Sequence, residues 1–413
     1  MNIKKYLLMF ILILSSFLLT GCNNAEGVET KAYVIAMGID KGTTKELNLS
    51  LQIATLSGSN SSSGESSGAS KSSSEASTVI SVECNTVDSG INLINSYISK
   101  KINLSHCKVI IFSEELANEG LSNVIYDLIS NIEIRPQCHV LISKCNSKDF
   151  LEQVSPIFES NPANYYERIF SSAEYTGYVA NVYLYDLYNS ILSTTSQAIA
   201  ILSGINTDST HPQNNNSSNI LDGNYKADET PIESKNRIEI IGTAVFNDDK
   251  LVGELDNIET MCHLIISNDL DSGTITIPNP FKADSNLSVF INTNKDTTHK
   301  VSLVNGYPYI ECNVNVVCDV LSMDTTIDLN DIQTINFLNS YVSTYLENAL
   351  SSYLYKTSRE FRADIDDFGR YAIVKYSTWN DWLDSDWLNN YQNAFFKVKV
   401  NASIQEGYLF TKI

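Results

Sequence analysis

The residue that announces chemistry first is Cys22, in Leu19-Thr20-Gly21-Cys22. A small residue before a cysteine, at the end of a short apolar run, is the substrate pattern of bacterial lipoprotein maturation. The thiol takes a thioether-linked diacylglycerol, and the new amino terminus is N-acylated. Lys4 and Lys5 supply the positive start, and Tyr6 to Leu19 the apolar stretch, broken only by Ser15 and Ser16. That stretch is shorter than the roughly 20 residues of a spanning helix, so residues 1–21 read as a cleaved signal peptide. The mature chain then runs from Cys22 to Ile413, 392 residues.

Other reactive types are present in weaker patterns. Gly64-Glu65-Ser66-Ser67-Gly68 matches G-x-S-x-G, but serine-rich sequence replaces the strand and helix that a nucleophile elbow needs. His106-Cys107, Cys138-His139 and Cys262-His263 are neighbours; residues adjacent on a strand point to opposite faces and cannot close on one metal. No C-x-x-C, H-E-x-x-H, phosphate loop or dinucleotide fingerprint is present. No catalytic residue, cofactor or metal site is expected. Cys312 and Cys318 alternate with Ile310, Val314, Val316 and Val320. On one strand they lie about 20 Å apart and cannot bridge, so they read as small buried hydrophobes. Lipidation of Cys22 leaves seven cysteines, an odd number that argues against a full disulfide framework.

The elements that must hold these residues follow from periodicity. Tyr33–Ile39 and Leu47–Ile53 read as a hairpin, and Thr78–Cys84 resumes the sheet. Helices are expected at Val87–Lys100 and Glu114–Ser130 and from Asp149, with strands at Lys108–Phe112 and Cys138–Ile142. Beyond them, Ile238–Phe246 turns through Asp248-Asp249-Lys250 into Leu251-Val252. Strands at Val301–Val304 and Tyr309–Val320 precede an amphipathic helix from Ile332 to Thr357, and Phe396–Ile404 closes the chain. The expectation is an α+β fold of mixed α/β layers in three domains: an N-terminal α/β domain over 22–206, a middle β-rich domain over 236–300 and a C-terminal α+β domain over 301–413. Ser57–Ser77, with twelve serines in 21 residues, reads as a disordered loop, and the polar stretch 207–235 as a linker.

Charge bounds the partners. The net charge is −20, and loss of Lys4 and Lys5 makes it −22. Such a body repels nucleic acid and anionic lipid, so attachment to a membrane must come from acyl chains.

Four ordered segments resemble the Ger(x)C family of spore-germination lipoproteins. They are Ala36–Gly42 with Gly38 and Asp40; His106–Ile111, leading to Glu133-Ile134-Arg135; Gly242–Leu255 with Lys250 and Gly253; and Asp364 with Phe368-Gly369, followed by Trp379 and Trp387. Together they span nearly the whole mature chain. The serine-rich stretch and 207–235 depart as insertions, Asp367 stands where the family has glycine, and Asn131 where a charged residue is usual. The resemblance implies a non-catalytic, lipid-anchored subunit of a nutrient germinant receptor, assembled with integral membrane subunits on the outer surface of the spore inner membrane. Contact with the nutrient is left open. A solute-binding lipoprotein of a transporter is the alternative, and it would need a cleft between two like lobes.

From the residues alone, the motif glycines suit turns or close backbone approach. Glu133 and Arg135 would lie on one face of an extended segment and read as a solvated pair ahead of a site that recruits a partner charge. Asp364, Asp366 and Asp367 read as a solvated helix end ahead of a cation site, and Trp379, Trp382 and Trp387 as core ahead of an interface.

Overall fold

The computed structural model describes residues 27–55, 76–159, 161–206, 224–323 and 331–405, with Lys5, Tyr6 and Met9. The lipobox, Gly64–Gly68, nearly all of the serine-rich stretch and residues 207–223 lie outside them.

Two sheets carry the α+β fold. The larger contains β1 (Lys31–Lys41), β2 (Leu47–Ala54), β3 (Ser77–Cys84), β4 (Lys101–Asn103), β5 (Val109–Ser113), β6 (His139–Ser143), β7 (Ile199–Ile205), β8 (Ile238–Asn247) and β9 (Lys250–Leu255). Its order is β3-β2-β1-β5-β6-β7-β8-β9, with β4 against the start of β1. Strands β1, β5, β6 and β7 run parallel, and both flanks are antiparallel hairpins. The parallel centre explains the unbroken apolar runs: every residue of β5 is buried, because both faces of the sheet are covered. Ile110, Phe112, Val140 and Ile142 face one core, and Val109, Ile111 and Leu141 the other.

The smaller sheet is β10 (Ser272–Pro278), β11 (Asn286–Val304), β12 (Tyr307–Met323) and β13 (Phe395–Ile404), in that order. Helix Ile332–Lys356 connects β12 to β13, which run parallel. It buries Leu338, Val342, Leu346, Leu350 and Leu354, the row its period requires, and Asp331 accepts from the N–H groups of Gln333 and Thr334 at its start.

Three expectations change. First, β8, placed with β9 in a middle domain, pairs with β7, and β9 pairs with β8 to complete the larger sheet, so 207–235 joins two neighbouring strands. The 300/301 division falls inside β11. One apolar core also runs from Val109 and Leu141 through Ile265 to Leu338. Second, the helix drawn over 114–130 is two helices, Glu114–Glu119 and Ser122–Ser130. Gly120 sits between them at φ +125°, where a side chain would strike Asp249. The Asp249 carbonyl accepts from Leu121 N–H and its carboxylate from Ser122 N–H, so the β8–β9 turn starts the second helix. Third, helix Asn257–Ser267 was unforeseen. Eight of its eleven residues are buried, so it carries no polar stripe to mark a period.

Candidate functional site

The motif residues do not line one pocket. They occupy three joints, each a place where backbone or carboxylate must come unusually close to another element.

At the first, Gly38 lies mid-strand in β1, where a Cβ would fall 2.4 Å from Ser147 Oγ. Two residues on, buried Asp40 accepts from Ser147 N–H at 2.6 Å and Lys148 N–H at 3.3 Å. The Asp40 carboxyl group thus satisfies the first free donors of helix Ser147–Gln153. Gly38 admits the helix, and Asp40 fastens it.

At the second, Gly242 has φ +91°, and a Cβ there would meet Leu255 O at 2.6 Å. Across the hairpin, Gly253 leaves room for the ring of Phe361, whose Cε1 would stand 2.1 Å from a Cβ. Lys356 Nζ lies 5.3 Å over the same ring and binds Glu259 at 2.6 Å. Lys250 is exposed beside the two-residue turn Asp248-Asp249 and takes no part in the joint.

The third joint is the most polar. Asp364 is fully buried; it accepts from Phe368 N–H at 3.1 Å, Gly369 N–H at 2.9 Å and the Trp387 indole N–H at 2.8 Å. Burial lifts its pKa to about 8, and these donors oppose the rise. The Asp364 carbonyl accepts from Gln197 N–H, while the Gln197 side chain accepts from Asp248 N–H. A Cβ on Gly369 would lie 2.3 Å from Thr195 O. The segment after the long helix is thereby sewn to the β7 entry and the β8–β9 turn.

Next to it, Asp366 Oδ1 lies 2.8 Å from His263 Nδ1, and the Tyr353 hydroxyl lies 2.9 Å from each Asp366 oxygen. Burial pushes the Tyr353 phenol well up. Carboxylate, phenol and imidazole satisfy one another inside the core. The reading of Asp364 and Asp366 as a solvated helix end is therefore wrong. A carboxylate-rich run looks solvent-facing in sequence, and the side chains that meet these two, Trp387, Tyr353 and His263, lie 23, 13 and 103 residues away along the chain. Asp367 is half-buried, with φ +54°.

Trp382 and Trp387 are buried and stacked, with centroids 5.9 Å apart, as core packing requires; Trp379 is 58% exposed. Cys312 and Cys318 are buried and free. Burial pushes the Cys318 thiol up to about 12. Glu133 and Arg135 lie in turns between Ser130 and His139, not in an extended segment. Glu133 Oε2 accepts from Leu104 N–H, and Arg135 is exposed. Near them, Cys138 Sγ donates to the Cys107 carbonyl at 3.0 Å, so two of the His–Cys neighbours pack their thiols together. His139 stacks on Phe170 at 3.9 Å, and burial lowers its pKa to about 4. No group of three His, Cys, Asp or Glu side chains among the described residues could hold a metal ion.

A mixed nine-stranded sheet and a four-stranded sheet with a parallel crossover helix, joined where these glycines and aspartates bring elements close, define a two-sheet α+β architecture. The chain belongs to the Ger(x)C spore-germination family: the model "Spore germination protein N-terminal domain" matches residues 24–205, and "Spore germination B3/GerAC like, C-terminal" matches 241–407. Spore germination protein KC of Bacillus subtilis (strain 168) is 21% identical over 406 residues, covering 94% of this chain and 92% of its own. Spore germination protein GerQC of Bacillus cereus is 19% identical over 311 residues, covering 75% and 77%. The crystal structure of the GerBC protein shares the fold at a TM-score of 0.53 and 14% identity, over 90% of this chain and 97% of that one. The two sheets are unlike in size and order, so the described residues do not form the paired like lobes of a solute-binding lipoprotein.

Proposed function

We propose that this chain is the lipid-anchored, non-catalytic subunit of a nutrient germinant receptor, acting by assembly with integral membrane subunits. The observation that carries the reading is the ordered match of both family domains over residues 24–205 and 241–407, directly behind a lipobox ending at Cys22. No helix among the described residues is long and apolar enough to cross a membrane, which suits attachment through diacylglycerol and an N-acyl chain on Cys22. Confinement to one surface raises the effective concentration of the partners, so modest interfaces suffice for assembly. The non-catalytic part of the reading rests on the polar groups of the three joints, which are consumed in holding elements together.

The test is genetic. In a strain that retains only this receptor, deleting the gene should abolish nutrient-triggered germination; the intact gene should restore it, and a Cys22→Ala form should restore it poorly. A full nutrient response in the deletion strain would overturn the proposal.

A further inference from the structure

The two ends of the larger sheet differ. β1 starts at the same end as β5 and β6, because the three are parallel; β2 finishes there and β3 starts there. The helices that follow β3 and β5 run back to this end, and the loop after helix Ser147–Gln153 lies here too, beside Gln52 and Thr78. The helix end and return loops here carry exposed apolar side chains: Tyr97 is 83% exposed, Ile132 99% and Phe158 94%, with Ile157 beside it at 62%.

Cations collect at the same end. Residues 28–33, 98–108 and 131–139 contribute Lys31, Lys100, Lys101, Lys108 and Arg135 against Glu29 and Glu133. Glu167, in the same cluster, pairs with Lys108 at 3.2 Å, and Glu159 pairs with Arg168 at 2.9 Å. Asp88 accepts from the Asn131 side chain at 3.0 Å, so cations and carboxylates come close to balance at this end, in a chain of net charge −20. Between the loops opens a cleft of about 380 Å³, lined among others by Ser105, His106, Lys108, Arg135, Tyr166 and Glu167, the last being the partner that an incoming phosphate would displace from Lys108. Arg135 has no carboxylate partner among the described residues.

The chain also enters here. The Tyr33 ring, two residues into β1, meets the His106 ring edge-on at 5.1 Å, so the first strand begins at the rim of the cleft. Gly27 is five residues from Cys22, which places Cys22 within about 18 Å of it. The stems of the serine-rich segment, Thr55 and Ala76, pair at the outer margin of this end.

We propose that this end of the sheet seats on the bilayer: Ile132 and the Ile157-Phe158 loop enter the interface, and the Lys108–Arg135 cleft takes the phosphate of an anionic phospholipid headgroup. The inference rests on lipidation of Cys22 and adds an orientation to it. A single acyl chain binds a membrane marginally, and a second signal of apolar and basic groups makes attachment stable. It also reverses what net charge alone suggests, because the field near a membrane is set by the charges within a Debye length of it and not by the whole surface.

The experiment uses full-length lipidated protein in phosphatidylcholine vesicles, with and without phosphatidylglycerol, whose acyl chains carry bromine to quench indole fluorescence. Ile132→Trp and Val374→Trp are compared after subtracting the native tryptophan signal; Val374 is a second exposed apolar site, 73% exposed in the 369–375 region. Ile132→Trp should be quenched several-fold more than Val374→Trp, and more strongly with phosphatidylglycerol. Adding Lys108→Gln and Arg135→Gln should lower the docked-to-free ratio about fivefold per cation. Equal quenching at both sites in protein whose Cys22 peptide carries lipid by mass spectrometry would overturn the orientation and leave the anchor standing. An unlipidated Cys22 in membrane-derived protein would overturn the anchor and the inference together. Protection of Ile132→Trp only when integral receptor subunits are co-reconstituted would assign this end to a protein partner and refute the lipid assignment.

Discussion

The Asp364 joint and the Lys108–Arg135 end are both polar, and they treat polar groups in opposite ways. At the joint, three donors converge on one carboxyl group, and glycines let backbone approach backbone. At the open end, Arg135 lacks a carboxylate among the described residues, and Ile132 and Phe158 stand almost wholly in solvent. A folded chain keeps buried polar groups satisfied because each orphan costs about 1–3 kcal/mol. Unpartnered groups survive only where solvent, or something outside the chain, can meet them. The joint is where the fold is held, and the open end is where it has something left to offer.

The contrast can be broken most forcefully at the joint. Asp364→Ala leaves the Trp387 indole and two backbone N–H groups without an acceptor, and should cost on the order of 3 kcal/mol or more in denaturant unfolding. A loss below about 0.5 kcal/mol would mean that the joint is not structural. Next, Gly253→Val forces the Phe361 ring out of its seat and should cost about 1–3 kcal/mol, read as a lower urea midpoint with an unchanged slope.

Protonation gives opposite signs at two buried groups. Asp364, lifted to about 8, holds a proton in the folded chain that the unfolded chain releases near pH 4. Its contribution is therefore lost as pH rises between those values. His139, lowered to about 4, is neutral when folded and charged when unfolded below about pH 6.5, so stability falls as pH drops from 6.5 towards 4. His139→Phe should flatten the acid side of the stability curve, by up to about 1.4 kcal/mol per pH unit. Melting midpoints across pH 4–7 for both proteins would show it. The smallest effect on folding belongs to Arg135→Gln, within about 0.5 kcal/mol, although it removes a cation from the open end.

Much of this was readable in the residues. Alternation in β2, β12 and β13 and the row Leu338, Val342, Leu346, Leu350 and Leu354 expose their own periods, because each element has one buried face. Helix Asn257–Ser267 does not, being buried on most sides. The pairing of β7 with β8 across 207–235 was hidden, since a polar insertion looks the same between neighbouring strands as between domains. Gly38, Gly242 and Gly253 were recognisable as sites of close approach, but not what approaches them. Asp364 and Asp366 were misread for the same reason: Trp387 and His263 lie 23 and 103 residues away along the chain.

The central claim is that the chain works as a tethered subunit of a membrane assembly. The most direct measurement is purification of the epitope-tagged, full-length chain from inner membranes of dormant spores, with mass spectrometry of everything that accompanies it. The account predicts a lipidated Cys22 peptide together with multi-spanning receptor subunits in fixed ratio. Recovery of the lipidated chain free of any multi-spanning partner would contradict it.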